Sequence, residues 1–118
     1  MKRGLIVDDA AIMRVRLRDI LEEAFQVVAE AGDGAEAVRM YENHRPDFVT
    51  LDISMPHQSG IIALEKIRAL DPEAKIVMVS AVGQKRQVIE ALQKGASDFI
   101  IKPFEGDRVL QAVHRLFQ

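Results

Sequence analysis

Asp8, Asp9, Asp52, Ser80 and Lys102 are the side chains of this sequence whose types could do chemistry together. Each follows or closes a short apolar run. Asp8 and Asp9 follow Leu5–Val7, Asp52 closes Phe48–Leu51, Ser80 closes Ile76–Val79 and Lys102 follows Phe99–Ile101. If the runs lie side by side and parallel, three carboxylates, a hydroxyl and an ammonium meet on one edge. Two carboxylates ~4 Å apart at an effective dielectric of ~20 repel by roughly 4 kcal/mol. Such a cluster calls for a counter-charge, and a hard divalent cation held by oxygens, Mg2+ above all, matches it. His44, His57 and His114 all lie away from the ends of these runs, and there is no cysteine, which argues against a soft-metal or thiolate site. A carboxylate can attack phosphorus and carry the phosphoryl group covalently. A divalent cation neutralises charge on the transferring oxygens, a lysine acts on phosphate as a point charge, and a hydroxyl donates a hydrogen bond. The five residues therefore spell a phosphoryl-transfer site.

Taken singly, they say less. Asp8 and Asp9 suit a helix N-cap equally well. Ser80 alone reads as a loop hydroxyl and Lys102 alone as a solvated surface charge. Asp52 is harder to dismiss, because a carboxylate closing Phe-Val-Thr-Leu is half-buried and costly without partners. Joint placement at the run ends turns the balance.

The runs that must position these residues begin at Leu5, Val27, Phe48, Ile76 and Phe99, spaced by 22, 21, 28 and 23 positions. They are nearly unbroken rather than alternating, which suits strands covered on both faces of a parallel sheet. Helical stripes lie between them. Met13, Leu17, Ile20, Leu21 and Ala24 form one. Ala37, Val38 and Tyr41, then Ile61, Leu64 and Ile67, then Val88, Ala91 and Leu92 form three more. Val109, Leu110, Val113, Leu116 and Phe117 make the last. Strand followed by helix, five times over, predicts an α/β doubly wound fold with helices on both faces. In such folds ligands bind beyond the carboxyl ends of the strands, where the strand order reverses.

Composition agrees. The chain has 118 residues, 48% hydrophobic and 29% charged, as expected of one globular domain spanning residues 1–118. A net charge of −2 gives no reason to expect nucleic-acid or membrane binding, and no apolar run is long enough for a membrane span or signal peptide. These features read as a soluble, cytoplasmic, single-domain protein, expected to be a monomer.

Four blocks in order resemble the response-regulator receiver domains, most closely the stand-alone chemotaxis regulators among them. The blocks are Ile6-Val7-Asp8-Asp9, Asp52-Ile53-Ser54-Met55-Pro56 with Gly60, Val79-Ser80-Ala81, and Phe99-Ile100-Ile101-Lys102-Pro103-Phe104. The resemblance implies a flavodoxin-like five-stranded parallel sheet in order 2-1-3-4-5 with five flanking helices. It makes Asp52 the phospho-acceptor. Asp8 and Asp9 then bind Mg2+ with Asp52 and the Ser54 main-chain carbonyl. Ser80 and Lys102 follow the phosphoryl group, Ser80 and Phe99 are the switch residues, and Lys102-Pro103 is a cis peptide. Implied partners are a histidine kinase that donates the phosphoryl group, a protein target such as a flagellar motor switch protein, and a dedicated phosphatase. The face of the fourth helix, fifth strand and fifth helix would meet the target.

Two positions depart from the familiar pattern. Phe99 stands where the best-known chemotaxis regulators have tyrosine, and without a hydroxyl its ring should prefer an inward position. Ser54 stands where asparagine is familiar, at a position that influences phosphate lifetime. Gln84, Lys85 and Arg86 should open the fourth helix as exposed, partner-facing residues, and His57 should be solvated. Rival readings are a receiver cut from a longer transcriptional regulator, a Mg2+-dependent aspartyl-phosphate phosphatase and a flavin-binding module. The phosphatase lacks its second acid, because Ile53 and Ser54 follow Asp52. The flavin module lacks a phosphate loop, because Asp8-Asp9-Ala10-Ala11 stands in its place.

Overall fold

Each apolar run is a strand and each helical stripe a helix in the computed structural model, which describes all residues 1–118. The order is β1 (Arg3–Val7), α1 (Ala11–Leu21), β2 (Gln26–Ala31), α2 (Gly34–His44), β3 (Phe48–Asp52), α3 (Gly60–Leu70), β4 (Ile76–Ser80), α4 (Lys85–Gln93), β5 (Asp98–Ile101) and α5 (Gly106–Arg115). The strands form one sheet in the order β2-β1-β3-β4-β5, and every neighbouring pair is parallel. The chain runs outward to β2, returns past β1 to β3 and then winds the other way. The order reverses between β1 and β3, so the C-terminal ends of those two strands flank the crevice where such folds bind ligands.

Successive residues of the strands feed two separate cores. Leu5, Val7, Val49, Leu51, Ile76 and Met78 pack against Tyr41, Leu64, Ile67, Val88 and Ala91 of α2, α3 and α4. Ile6, Phe48, Val77, Val79 and Ile100 pack against Leu17, Leu21, Val109 and Val113 of α1 and α5. This double coverage is why β3 and β4 are buried along their whole length and read as unbroken apolar runs. Each fully buried Leu, Ile or Val contributes about 1.5–3 kcal/mol, and that sum offsets the cost of crowding charge at one end of the sheet. Burial on both sides also carries the polar strand ends inward. Asp52 and Ser80 are the last residues of β3 and β4 rather than loop residues.

Three details differ from the sequence-based expectation. Ala24 lies beyond α1, which ends at Leu21. Leu116 and Phe117 likewise lie beyond α5, which ends at Arg115. Leu92 stays partly exposed rather than joining the core with Val88 and Ala91, because it borders a surface groove described below.

Candidate functional site

Asp8 is fixed at the end of β1 from several directions. Its N–H donates to the Ala31 carbonyl at 3.1 Å, and its Oδ1 accepts from the Ala10 N–H at 2.9 Å. Arg14 Nη1 donates to the Asp8 carbonyl at 2.6 Å, while Arg14 Nε reaches Glu30 at 3.1 Å. The alternative role of Asp8 and Asp9 as helix caps is not met. The N-cap of α1 is Ala10, and no side chain bonds the first turn. Asp8 is fully buried, and Asp9 is exposed at the rim.

Asp52 is buried, more deeply than its sequence context suggested, and its Oδ1 accepts from the Ser54 N–H at 3.3 Å. Lys102 directly follows β5, and its peptide to Pro103 is cis. Its Nζ donates to Asp8 Oδ2 at 3.1 Å and to Asp52 Oδ2 at 3.4 Å. One carboxylate oxygen from each of Asp8, Asp9 and Asp52 lies within 4.8 Å of the others.

One ammonium therefore faces three carboxylates, and Asp52 bears the imbalance. Burial pushes its pKa up, the neighbouring Asp8 charge pushes it further, and Lys102 pulls it back; the net result is about 6 against an ordinary 3.8. The pKa of Lys102 also moves up, which for an amine favours the charged form. Burial lowers its pKa, but the hydrogen bond to Asp8 and the charges of Asp52 and Asp8 outweigh that and raise it. The pocket thus holds Lys102 firmly as a cation and Asp52 as a reluctant anion.

The remaining polar groups are open to a ligand. Ser80 Oγ is buried beside the cluster and has no hydrogen-bond partner, a state that costs about 1–3 kcal/mol unless something binds it. The Ser54 carbonyl accepts no hydrogen bond from the protein. Phe99 is half-buried rather than fully inward. Its ring lines a groove of about 410 Å3 with Val82, Ile89, Leu92 and Ile101, and Ser80 lies at the edge of that groove. His57 is exposed, as expected, and sits at a left-handed φ of 71°.

Sequence reasoning misjudged Gln84. It is half-buried rather than exposed: its Oε1 accepts from the Ala81 N–H at 2.6 Å and its Nε2 donates to Ser54 Oγ. Gly83, one residue earlier, carried the signal. A glycine three residues after a strand marks a turn able to fold the next side chain back.

The β3–α3 loop is held over the cluster by a close approach. Ser59 caps α3, accepting from the Ile62 N–H at 3.4 Å, and the Gly60 N–H donates to the Ile53 carbonyl at 2.8 Å. A Cβ on Gly60 would lie 2.0 Å from the Asp52 carbonyl oxygen, where only backbone could give way. Gly60→Ala is therefore expected to destabilise the fold by at least about 2 kcal/mol and to weaken Mg2+ binding by displacing Asp52. Urea unfolding and metal titration of the same variant check both effects.

Comparison with known proteins agrees with this geometry. The family model for the response regulator receiver domain matches residues 5–114. The chemotaxis protein CheY of Bacillus subtilis is 55% identical over 114 residues, spanning 96% of this chain and 95% of its own length. CheY of Listeria monocytogenes is 52% identical over 116 residues, spanning 98% of each chain. Among solved structures, a chain from the CheX-CheY-BeF3-Mg2+ complex of Borrelia burgdorferi superimposes with a TM-score of 0.94 at 42% identity, covering 99% of this chain and 90% of that one. The matched span contains Asp8, Asp9, Asp52, Ser80 and Lys102, and the chain belongs to the response regulator receiver domain family.

Proposed function

We propose that Asp52 accepts a phosphoryl group from the phosphohistidine of a histidine kinase, and that the modified domain switches its contact with a protein target. The observation that carries this reading is the buried, unpartnered hydroxyl of Ser80 beside a buried carboxylate. An Asp52 oxygen attacks phosphorus; the new O–P bond forms as the N–P bond to imidazole breaks, and the imidazole nitrogen keeps the electron pair. Lys102, already bonded to Asp52, offsets charge on the phosphoryl oxygens, and Ser80 gains the acceptor it lacks. Asp8, Asp9, Asp52 and the Ser54 carbonyl are oxygen donors that fit Mg2+. When bound, Mg2+ neutralises charge on the transferring oxygens.

The output follows from population shift: a phosphoryl group must interact better with one arrangement of Ser80 and the groove behind it than with another. Phe99 and Ile101 of β5 and Val88, Ile89 and Leu92 of α4 line that groove, so a change there reaches the α4–β5–α5 face. The domain acts as a signalling switch whose only chemistry is on its own Asp52. The CheY relatives support a chemotaxis role, with a CheA-like kinase as donor and a flagellar motor switch protein as target, in the cytoplasm. No helix is long and apolar enough to cross a membrane. The CheX-CheY complex supports a protein partner, and a dedicated phosphatase is part of the same proposal. Residues 1–118 then act as one receiver unit, as a monomer and without binding nucleic acid.

Phosphotransfer from a radiolabelled CheA-like kinase tests the reading. Label should move to this chain in a linkage cleaved by hydroxylamine, as an acyl phosphate is. Label that stays on the kinase, or arrives in a hydroxylamine-stable linkage, contradicts it.

Asp9 and Asp52 should separate in metal-free stability. Asp9 is exposed and solvated, so Asp9→Asn should weaken Mg2+ binding about tenfold or more, yet move metal-free stability by no more than about 0.5 kcal/mol. The crowding argument taken alone expects both Asp9→Asn and Asp52→Asn to stabilise the metal-free fold. The exposure of Asp9 confines that gain to Asp52. Calorimetric Mg2+ titration with urea unfolding in chelator measures the two quantities.

A further inference from the structure

We infer that Gln84 is a positioning residue for phosphorylation: its carboxamide holds the Ala81 backbone N–H that a phosphoryl oxygen on Asp52 would otherwise take. The inference rests on Asp52 being the acceptor.

β3 and β4 leave the sheet side by side. Asp52 lies opposite Val79, and the Ile53 N–H donates to the Val79 carbonyl at 3.0 Å. Ile53-Ser54 and Ser80-Ala81 therefore run out of the sheet as neighbours, and a group growing from Asp52 enters the gap between them. Ser80 Oγ stands unpartnered at that gap. The next donor along the chain is the Ala81 N–H, and it is taken: Gln84 Oε1 accepts it at 2.6 Å. The orientation of the amide is fixed by chemistry, since a backbone N–H can only donate. Gln84 Nε2 then donates across the gap to Ser54 Oγ. One side chain thus ties the loop after the acceptor to the loop after Ser80.

Two further observations mark this as built for the loop rather than for the helix. Gln84 is the N-cap residue of α4, yet its side chain makes no capping bond to the helix. Gly83 has φ +92°, a conformation L side chains rarely adopt, and this turn folds Gln84 back over Ala81. A phosphoryl oxygen that claims the Ala81 N–H must expel Gln84. Expulsion frees Ser54 Oγ and the residue leading into α4, whose Lys85, Val88 and Ile89 line the groove behind Ser80. Until then the latched form is unable to take the phosphoryl group fully, and apparent affinity is reduced by the fraction of molecules so held.

The probe is beryllofluoride, an analogue of the phosphoryl group, titrated calorimetrically into the full chain at saturating Mg2+. A competing hydrogen bond of ordinary net strength corresponds to roughly a three- to tenfold effect. Gln84→Ala should bind beryllofluoride about three- to tenfold more tightly, with unchanged affinity for Mg2+ alone and faster hydrogen exchange at the Ala81 amide before beryllofluoride is added. Ser54→Ala, which removes only the far anchor, should shift affinity in the same direction and by less. Gln84→Glu keeps an acceptor at Ala81 and adds negative charge, and should bind more weakly than wild type. Equal or weaker beryllofluoride binding by Gln84→Ala overturns the inference, as does a parallel loss of Mg2+ affinity, which marks a merely structural role. If wild type shows no beryllofluoride binding that Asp52→Ala abolishes, the acceptor assignment itself fails and the latch falls with it.

Discussion

Replacing Asp52 by asparagine is expected to stabilise the metal-free protein by on the order of 2–3 kcal/mol at pH 7.5. The carboxyl has a folded-state pKa of about 6 against an ordinary 3.8, raised by burial and by Asp8 against the pull of Lys102. A folded pKa above the unfolded one means that the native state holds the proton more tightly. The stabilisation from that proton is fully present below about pH 4 and is lost as pH rises through about 6. Above that, the ionised group works against the fold by roughly 1.4 kcal/mol for each pH unit separating the two values. Asparagine keeps the shape and removes the charge. Urea unfolding in chelator should therefore show wild type weakening between pH 4 and pH 7 relative to Asp52→Asn, the two converging in acid. Adding Mg2+ should stabilise wild type strongly and the variant little, because binding to the native state alone raises stability. A variant that unfolds earlier than wild type at pH 7.5 without metal would mean that Lys102 already neutralises the pocket.

The same burial that raises Asp52 also explains what could be read before any coordinates. The unbroken runs Phe48–Leu51 and Ile76–Val79 announce strands covered on both faces, and both are. A carboxylate or hydroxyl at the end of such a run must lie at the sheet's edge, so Asp52, Ser80 and Lys102 are legible from spacing alone. The strand order is not; it comes from family resemblance, since nothing in the five runs says which pairs with which. What stays hidden depends on side-chain reach across loops. Gln84 looks solvated in a polar stretch, and only the turn at Gly83 aims it at Ala81 and Ser54. Asp8 and Asp9 look interchangeable in sequence, but Asp8 ends fully buried under Arg14 and Lys102 while Asp9 stays at the rim. Phe99 reads as a ring that should prefer an inward position. It stays half-buried because β5 is an edge strand with an open groove beside it.

A small-molecule phosphodonor should modify this protein without any kinase, because the acceptor, its counter-charges and the buried hydroxyl all belong to one chain. Positioning and electrostatics supply most of the catalysis of phosphoryl transfer, and the receiver carries both. The effect of removing the acceptor is expected to be all-or-none rather than graded, since Ser80 lacks a base to activate it and Asp8 is bonded to Ala10 and Lys102. The direct measurement is the intact mass after incubation with acetyl phosphate and Mg2+. Wild type should gain one phosphoryl group, and chelator or Asp52→Ala should each abolish the gain. The same added mass on Asp52→Ala would place the acceptor elsewhere and contradict the account.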